Sequence, residues 1–171
     1  MALAAGLSEA HGELDVLRSV DGLHYDATPL VWNEYERAGY LTVYFQENAK
    51  IGPFHYKKRG FRHAPTSLYY VPLSFMQASP RIAQIKNECY RNVRVYVKSW
   101  QETGYFVRRA HDANVSYFSV SLFNSFTHDY FSVPDDYDRE VRTALAEFER
   151  RGYLNDTLLV VMSDHGNRMS P

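Results

Sequence analysis

An alternation of strand-like and helix-like segments between residues 117 and 162 constrains the fold more than any other feature of this chain. Tyr117–Phe123 is rich in the aromatic and β-branched side chains that strands favour. Ser132–Asp135 resembles a capping box, and the helical pattern that follows is suited to end at Gly152. Leu158–Met162 is a continuous apolar run, which predicts a central strand covered on both faces. Such a strand–helix–strand unit implies parallel strands joined by crossovers.

The first half of the chain predicts a second helix–strand join. Pro29–Gly39 reads as a short helix, which Thr28 can cap and Gly39 can end. Leu41–Phe45 follows directly and has the composition of a strand. Residues 1–28 lack such a pattern, so we expect a poorly patterned N-terminal segment followed by one partial domain over residues 29–171.

Two longer stretches lie between the predicted strands. Residues 46–79 carry Gly and Pro turn signals and no clean period. Apolar residues from about 80 to 110 recur every three or four positions, which predicts a helical region that is interrupted near Asn87–Asn92. The whole order predicts an α/β fold with a mostly parallel sheet and helices on both faces.

Composition excludes several classes of protein. Nineteen basic and 20 acidic residues leave a net charge of −1, so nucleic acid is not an expected partner. The single cysteine, Cys89, allows no intrachain disulfide. We expect no membrane segment and no signal peptide in this chain, although sequons at Asn114 and Asn155 weakly favour a secretory history. Nucleotide-binding glycine loops and the nucleophile elbow of serine hydrolases are also missing from the sequence.

Two polar clusters follow predicted strands, at the edge where parallel sheets bind ligands. Thr127–Tyr130 comes after the first of these strands, and Ser163–Gly166 comes directly after the apolar run. Adjacent Asp164 and His165 can both reach one metal ion from a turning chain. Ordinary explanations stay open: Asp164–Gly166 can be a simple turn, and His128 with Asp129 can be a hydrogen-bonded surface pair.

The remaining histidines favour structural interpretations. His111 with Asp112 lies at a helix end, where a histidine interacts favourably with the helix dipole. His55 and His63 lie in a basic loop, and we expect them to be solvated or stacked on aromatic rings. The basic run Lys57–Arg59 is expected to be a solvated face, with steering of an anionic substrate as the alternative.

Four segments in order resemble motifs of a known family. The last reads G-Y-L-N-D-T followed by an apolar run and S-D-H-G, and it resembles the signature of sulfatases and of the wider alkaline phosphatase superfamily. More narrowly, the chain resembles a sulfatase-like family of unknown function in animals over residues 29–168. The matching segments are Gly39–Thr42 with Glu47–Asn48, Gly60–Phe61 with Pro65–Thr66, Thr127–Asp129, and Gly152–Gly166.

The resemblance implies an incomplete alkaline-phosphatase-like fold and a metal-dependent hydrolase of sulfuric or phosphoric esters. Asp164 and His165 match the metal ligands of related enzymes, which hold calcium or zinc. His128 matches a histidine that faces the sulfate or phosphate group. A metal ion and such a histidine would neutralise charge that develops on the transferred oxyanion.

Two features of the family pattern have no counterpart in this chain. The nucleophile and the first aspartate ligand precede the matched region in the family, and no residue in 1–28 lies in such a setting. We therefore expect part of a longer, extracellular or secretory protein, inactive as this chain alone. The alternative is a non-catalytic extracellular interaction domain that keeps the fold. A helical phosphohydrolase with His–Asp ligand pairs is disfavoured, because the predicted strands do not fit an all-α fold.

Overall fold

A computed structural model describes residues 24–56, 58–71, 89–90, 93–124 and 135–163. One sheet consists of three parallel strands in the spatial order Leu68–Tyr69, Leu41–Gln46 and Tyr117–Leu122, and two short strands form a separate antiparallel ladder. The parallel sheet with flanking helices confirms the predicted α/β class, here as an incomplete fold. In chain order the elements are α1 (Val31–Arg37), β1 (Leu41–Gln46), β2 (Leu68–Tyr69), β3 (Cys89–Tyr90), β4 (Val93–Arg94), α2 (Val95–Asp112), β5 (Tyr117–Leu122) and α3 (Asp135–Arg150).

Successive side chains of β1 point to opposite faces of the sheet, so each face has its own hydrophobic core. Helices cover both cores. Tyr44 points to one face, where it packs with Trp32 of α1. Val43 points to the other face, where it packs with Phe106 of α2 and Phe148 of α3. The central strand is therefore buried on both sides, as a parallel sheet requires.

Gly39 ends helix α1 as predicted, but the helix does not begin as predicted. Thr28 does not cap the helix: it follows a 3₁₀ turn at Tyr25–Ala27, and α1 begins at Val31 without a side-chain cap. Thr28 donates its backbone N–H to the Tyr25 carbonyl and so belongs to the preceding 3₁₀ turn, which explains why it does not cap α1. Gly39 ends the helix at a φ of 86°, which favours glycine.

Of the helical region predicted from about residue 80 to 110, with an interruption near Asn87–Asn92, the structure describes residues 89–90 and 93–110, and residues 80–88 lie outside the described residues. β3 and β4 pair as Cys89 with Arg94 and Tyr90 with Val93, and α2 starts at Val95. A spacing of three or four residues also fits a short hairpin followed by a helix, so periodicity alone could not separate them. Helix α2 closes with Asn114 at a φ of 52°, a conformation that asparagine tolerates better than most residues.

The predicted strand Leu158–Met162 is wrong for this structure. They have no ladder partner among the residues that the structure describes, and their exposed fractions run from 42% at Leu159 to 89% at Leu158. A continuous apolar run identifies side chains that favour burial, but a strand also needs a neighbouring edge to pair with. Among the described residues, β5 pairs with β1 alone. None of the described helices is long and apolar enough to span a bilayer.

Candidate functional site

The carboxyl ends of β1 and β5 lie side by side at one edge of the sheet. The two strands are parallel and in register, and Gln46 at the end of β1 is opposite Leu122 at the end of β5. Glu47 extends the pairing by donating its backbone N–H to the Leu122 carbonyl at 3.0 Å. Parallel α/β sheets bind ligands at this edge, which makes it the candidate site.

Glu47, Asn48 and Asn124 form a hydrogen-bonded network at this edge. Glu47 is only 4% exposed, and its carboxylate Oε2 accepts the backbone N–H of Asn124 at 3.1 Å. The side-chain amide of Asn124 makes two hydrogen bonds to the backbone of Asn48. Its Oδ1 accepts from the Asn48 N–H at 3.1 Å, and its Nδ2 donates to the Asn48 carbonyl at 3.0 Å. Buried polar groups need such partners, so the network fixes where the chain leaves both strands.

Aromatic side chains from both large helices line the same edge. Phe123 stacks on Trp100 of α2, with ring centroids 4.6 Å apart and planes inclined by 11°. Tyr137, in the first turn of α3, has a pKa raised to about 12, chiefly by burial and further by the negative charge of Glu47. The start of α3 thus lies near enough to this edge for the charge of Glu47 to act on Tyr137.

A second polar group lies on the opposite face of β1. Tyr69 Oη and His55 Nε2 are 2.9 Å apart, and the two rings stack. Burial lowers the pKa of His55 and raises the pKa of Tyr69. Gly60, with a φ of 68°, lies so close that an added Cβ would come within 2.5 Å of His55 Nε2. These contacts agree with the stacking on aromatic rings that was expected for His55. The contact between His55 and Tyr69 is structural and is called the His55 brace.

The site residues predicted from the sequence lie outside the described residues. His128 follows Asn124 by four positions, and Asp164 and His165 come directly after Ser163, the last residue described. The structure therefore does not place these three side chains. Among the residues that it does describe, no group of three or more His, Cys, Asp or Glu could hold a metal ion.

His111 and Asp112 are described, and their surroundings support the structural interpretation. His111 Nδ1 lies 3.8 Å from Asp112 Oδ1, and the two side chains are 41% and 57% exposed. The His111 ring packs against Tyr153, with centroids 4.9 Å apart, where the chain leaves α3. The pair therefore marks the end of α2.

The motif residues from the first half of the chain occupy positions that determine the fold. Gly39 and Gly60 both have positive φ angles, of 86° and 68°. Thr42 is fully buried, and its Oγ1 accepts the backbone N–H of Ser67 at 2.9 Å, which ties β1 to the start of β2. Thr66 is 4% exposed and donates its hydroxyl to the Leu68 carbonyl. Their spacing therefore reflects backbone and packing requirements.

Sequence reasoning missed Glu47 and Asn124 as site residues. Asn124 follows a predicted strand directly and Glu47 follows one by two positions, so the rule that placed His128 and Asp164 at the sheet edge also applies to them. In the sequence, Glu47 is predicted only as part of a motif, and Asn124 is not predicted. The hydrogen bonds that make them a unit join residues 76 and 77 positions apart, and no local pattern reveals such pairing.

Comparison with known proteins identifies a family and nothing finer. No curated protein and no solved structure matched the chain. A family model described as "Protein of unknown function (DUF229)" matches residues 1–171. Because that match spans the full length given, the chain belongs to the DUF229 family, whose function is unknown.

Proposed function

We propose that this chain is part of a sulfatase- or phosphatase-like, metal-dependent hydrolase domain that cleaves sulfuric or phosphoric esters in the complete protein. The observation that carries the proposal is the shared carboxyl edge of β1 and β5. This edge collects Glu47 and Asn124, and the chain continues from Asn124 towards His128. Parallel α/β folds bind ligands at this edge, and the resemblance assigns its substrate-side histidine to the same connection.

Under this proposal, Asp164 and His165 are metal ligands and His128 contacts the sulfate or phosphate group. A carboxylate is a ligand for both calcium and zinc, and a neutral imidazole is a ligand for zinc. Both metals therefore belong to the proposal. When bound, the ion would stabilise negative charge on the transferring oxyanion. His128 would donate a hydrogen bond to an oxyanion oxygen. No group of three or more His, Cys, Asp or Glu among the described residues could hold a metal ion, so the proposal names only Asp164 and His165 as ligands.

We also propose an extracellular or secretory location for the complete protein. Both sequon asparagines, Asn114 and Asn155, are exposed in the structure. Asn114 follows the end of α2, and Asn155 follows the end of α3 by five positions. Exposed turns are where N-glycosylation occurs in secreted proteins, which supports this part of the proposal.

Metal binding by the purified chain tests the proposed half-site. Zn²⁺ and Ca²⁺ are titrated separately while the imidazole signals of the seven histidines are followed by NMR. We expect Asp164→Ala and His165→Ala to weaken binding by at least about tenfold, because each removes a direct ligand. Asp112→Ala is the matched control, since it also removes an aspartate adjacent to a histidine. Equal affinities in all three variants would contradict the proposal.

Turnover is a separate measurement on the same chain. We expect none with aryl sulfates or aryl phosphates in the presence of either metal, because no nucleophile of the family pattern is found in the sequence. Robust turnover that Asp164→Ala abolishes would show that this chain carries its own nucleophile. An absence of turnover in the longer protein as well, with metal binding also absent, would favour the non-catalytic alternative.

A further inference from the structure

The two glycosylation sequons lie next to a contact between the ends of α2 and α3. Asn114 comes two positions after the end of α2, and Asn155 comes five positions after the end of α3. The rings of His111 and Tyr153 pack between these points, with centroids 4.9 Å apart. Each ring belongs to a residue only two or three positions before a sequon asparagine. The two sequons are therefore neighbours in space, although they are far apart in the sequence.

A second contact ties the same region to the start of β5. Oη of Tyr117, the first residue of β5, and Oγ1 of Thr157 lie 3.2 Å apart. Thr157 is the hydroxyl residue of the second sequon, and Ser116, the hydroxyl residue of the first, directly precedes Tyr117. The Ser116 carbonyl accepts the backbone N–H of Leu41, the first residue of β1. Both sequons therefore lie at the amino ends of the parallel strands.

This region and the candidate site lie at opposite ends of the sheet. The candidate site occupies the carboxyl ends of β1 and β5, at Glu47 and Asn124. From Tyr117 to Leu122, β5 advances by about 3.3 Å per residue, or about 16 Å in all. We call the end that carries the sequons, residues 111–117 and 153–157, the amino pole.

Asn114 and Asn155 are both exposed at the amino pole. An N-linked glycan is bulky and hydrophilic, so its asparagine has to face solvent in the folded chain. We propose that both asparagines are acceptors of N-linked glycans and that the two glycans project from the amino pole, which leaves the carboxyl edge of the sheet open to a ligand. This inference rests on the proposed extracellular or secretory location, because this modification belongs to the secretory pathway.

The modification is a group transfer from a lipid-linked oligosaccharide diphosphate. Nδ2 of the asparagine forms a bond to the anomeric carbon of the first sugar, and the bond between that carbon and the diphosphate oxygen breaks. The lipid diphosphate leaves with the bonding electron pair, and Nδ2 loses one proton. The acceptor is defined by a hydroxyl residue two positions after the asparagine, as in Asn114-Val115-Ser116 and Asn155-Asp156-Thr157.

The test routes the full chain through the secretory pathway of cultured animal cells behind a borrowed leader peptide. Enzymatic removal of N-linked glycans in heavy-oxygen water converts each glycosylated asparagine into a labelled aspartate, which mass spectrometry locates. Ser116→Ala removes the first sequon and keeps Asn114, whose φ of 52° suits asparagine. Asn155→Gln removes the second sequon. Ser116→Thr and Thr157→Ser are the matched controls, because each changes a sequon residue and keeps its hydroxyl.

We expect the wild type and both controls to carry two glycans, Ser116→Ala and Asn155→Gln to carry one each, and the double variant to carry none. Amide hydrogen exchange then shows where the glycans lie. Exchange at the amino pole should be several-fold slower in the glycosylated wild type than in the double variant, and exchange at Glu47 and Asn124 should be equal in both. Should the double variant fail to fold, the enzymatically treated wild type takes its place.

An unlabelled Asn114 or Asn155 in the secreted wild type overturns the inference. Exchange that is unchanged at the amino pole, or slowed at Glu47 and Asn124, overturns the placement of the glycans away from the candidate site. If both asparagines are labelled in the routed chain and the complete protein from its own organism carries no glycan, the acceptor sites stand and the proposed location fails. The inference and the proposed location therefore fail by different measurements.

Discussion

Two glycines show how the same residue type serves different needs in this fold. Gly39 ends α1 with a φ of 86°, and an added Cβ would meet no atom within 4 Å. Gly104 lies inside α2, where an added Cβ would come 3.4 Å from Phe148 Cε1, an ordinary contact distance. Gly39 is therefore required by its backbone angle, whereas Gly104 meets neither a backbone nor a strong packing requirement.

Substitution by alanine should act in opposite directions at these two sites. Gly39→Ala should destabilise the protein by about 1 kcal/mol, because a side chain is disfavoured in the left-handed region. Gly104→Ala should stabilise it by up to about 1 kcal/mol, because glycine weakens a helix interior. Urea unfolding measures both free energies. Equal destabilisation by the two substitutions would show that the Cβ contact with Phe148, not the backbone, dominates at residue 104.

The connection from β1 to β2 shows why some elements resist prediction from sequence. Residues 46–79 have no hydrophobic period, yet the connection is ordered by the His55–Tyr69 contact and by the Thr42–Ser67 bonds. The signal at Gly52 and Pro53 predicted the turn at residues 53–56, because those residues act through local geometry. The contacts that hold the turns join residues 14 and 25 positions apart, which a local pattern does not encode.

The His55 brace should make stability depend on pH. Burial lowers the pKa of His55 below its unfolded value of 6.5, so the unfolded chain binds more protons in the interval between the two values. The stabilisation is fully present above pH 6.5 and declines as the pH falls from there toward the folded pKa. The proton taken up by His55 can change the free energy of unfolding by at most about 1.4 kcal/mol per pH unit.

Thermal unfolding at pH 7.5 and pH 5.0 measures this dependence. The wild type should lose more stability between these two values than His55→Gln, which cannot take up a proton at that position. His111→Gln is the control, because His111 lies at the exposed end of α2 and should leave the loss unchanged. An equal loss in wild type and His55→Gln would remove His55 as the cause.

At the scale of the whole molecule, two kinds of prediction from the sequence differ in success. The covering of both sheet faces by helices was predicted well, and the pairing of the strands was predicted less well. The order of the predicted helices and strands predicted a parallel sheet with helices on both faces, and the structure confirms it. Within the described part of the chain β5 pairs with β1 alone, and this could not be predicted, because pairing depends on which other segments reach the second edge of β5. The same limit applies to the candidate site: residues directly after strands were predictable, but the Glu47–Asn124 bond depends on the β1–β5 register.

The run Leu158–Met162 gives the most direct comparison between pattern and structure. Val160 lies in this run and is 64% exposed, whereas Val43 in β1 is 2% exposed. Val160→Ala should therefore change the free energy of unfolding by no more than about 0.5 kcal/mol, as is usual for surface positions. Val43→Ala removes two buried methyl groups and leaves a cavity, so it should cost about 2 kcal/mol. Urea unfolding of the two variants measures the difference between the same substitution at two sites. Similar losses would mean that Leu158–Met162 is buried in solution, as a strand with a partner beyond the described sheet.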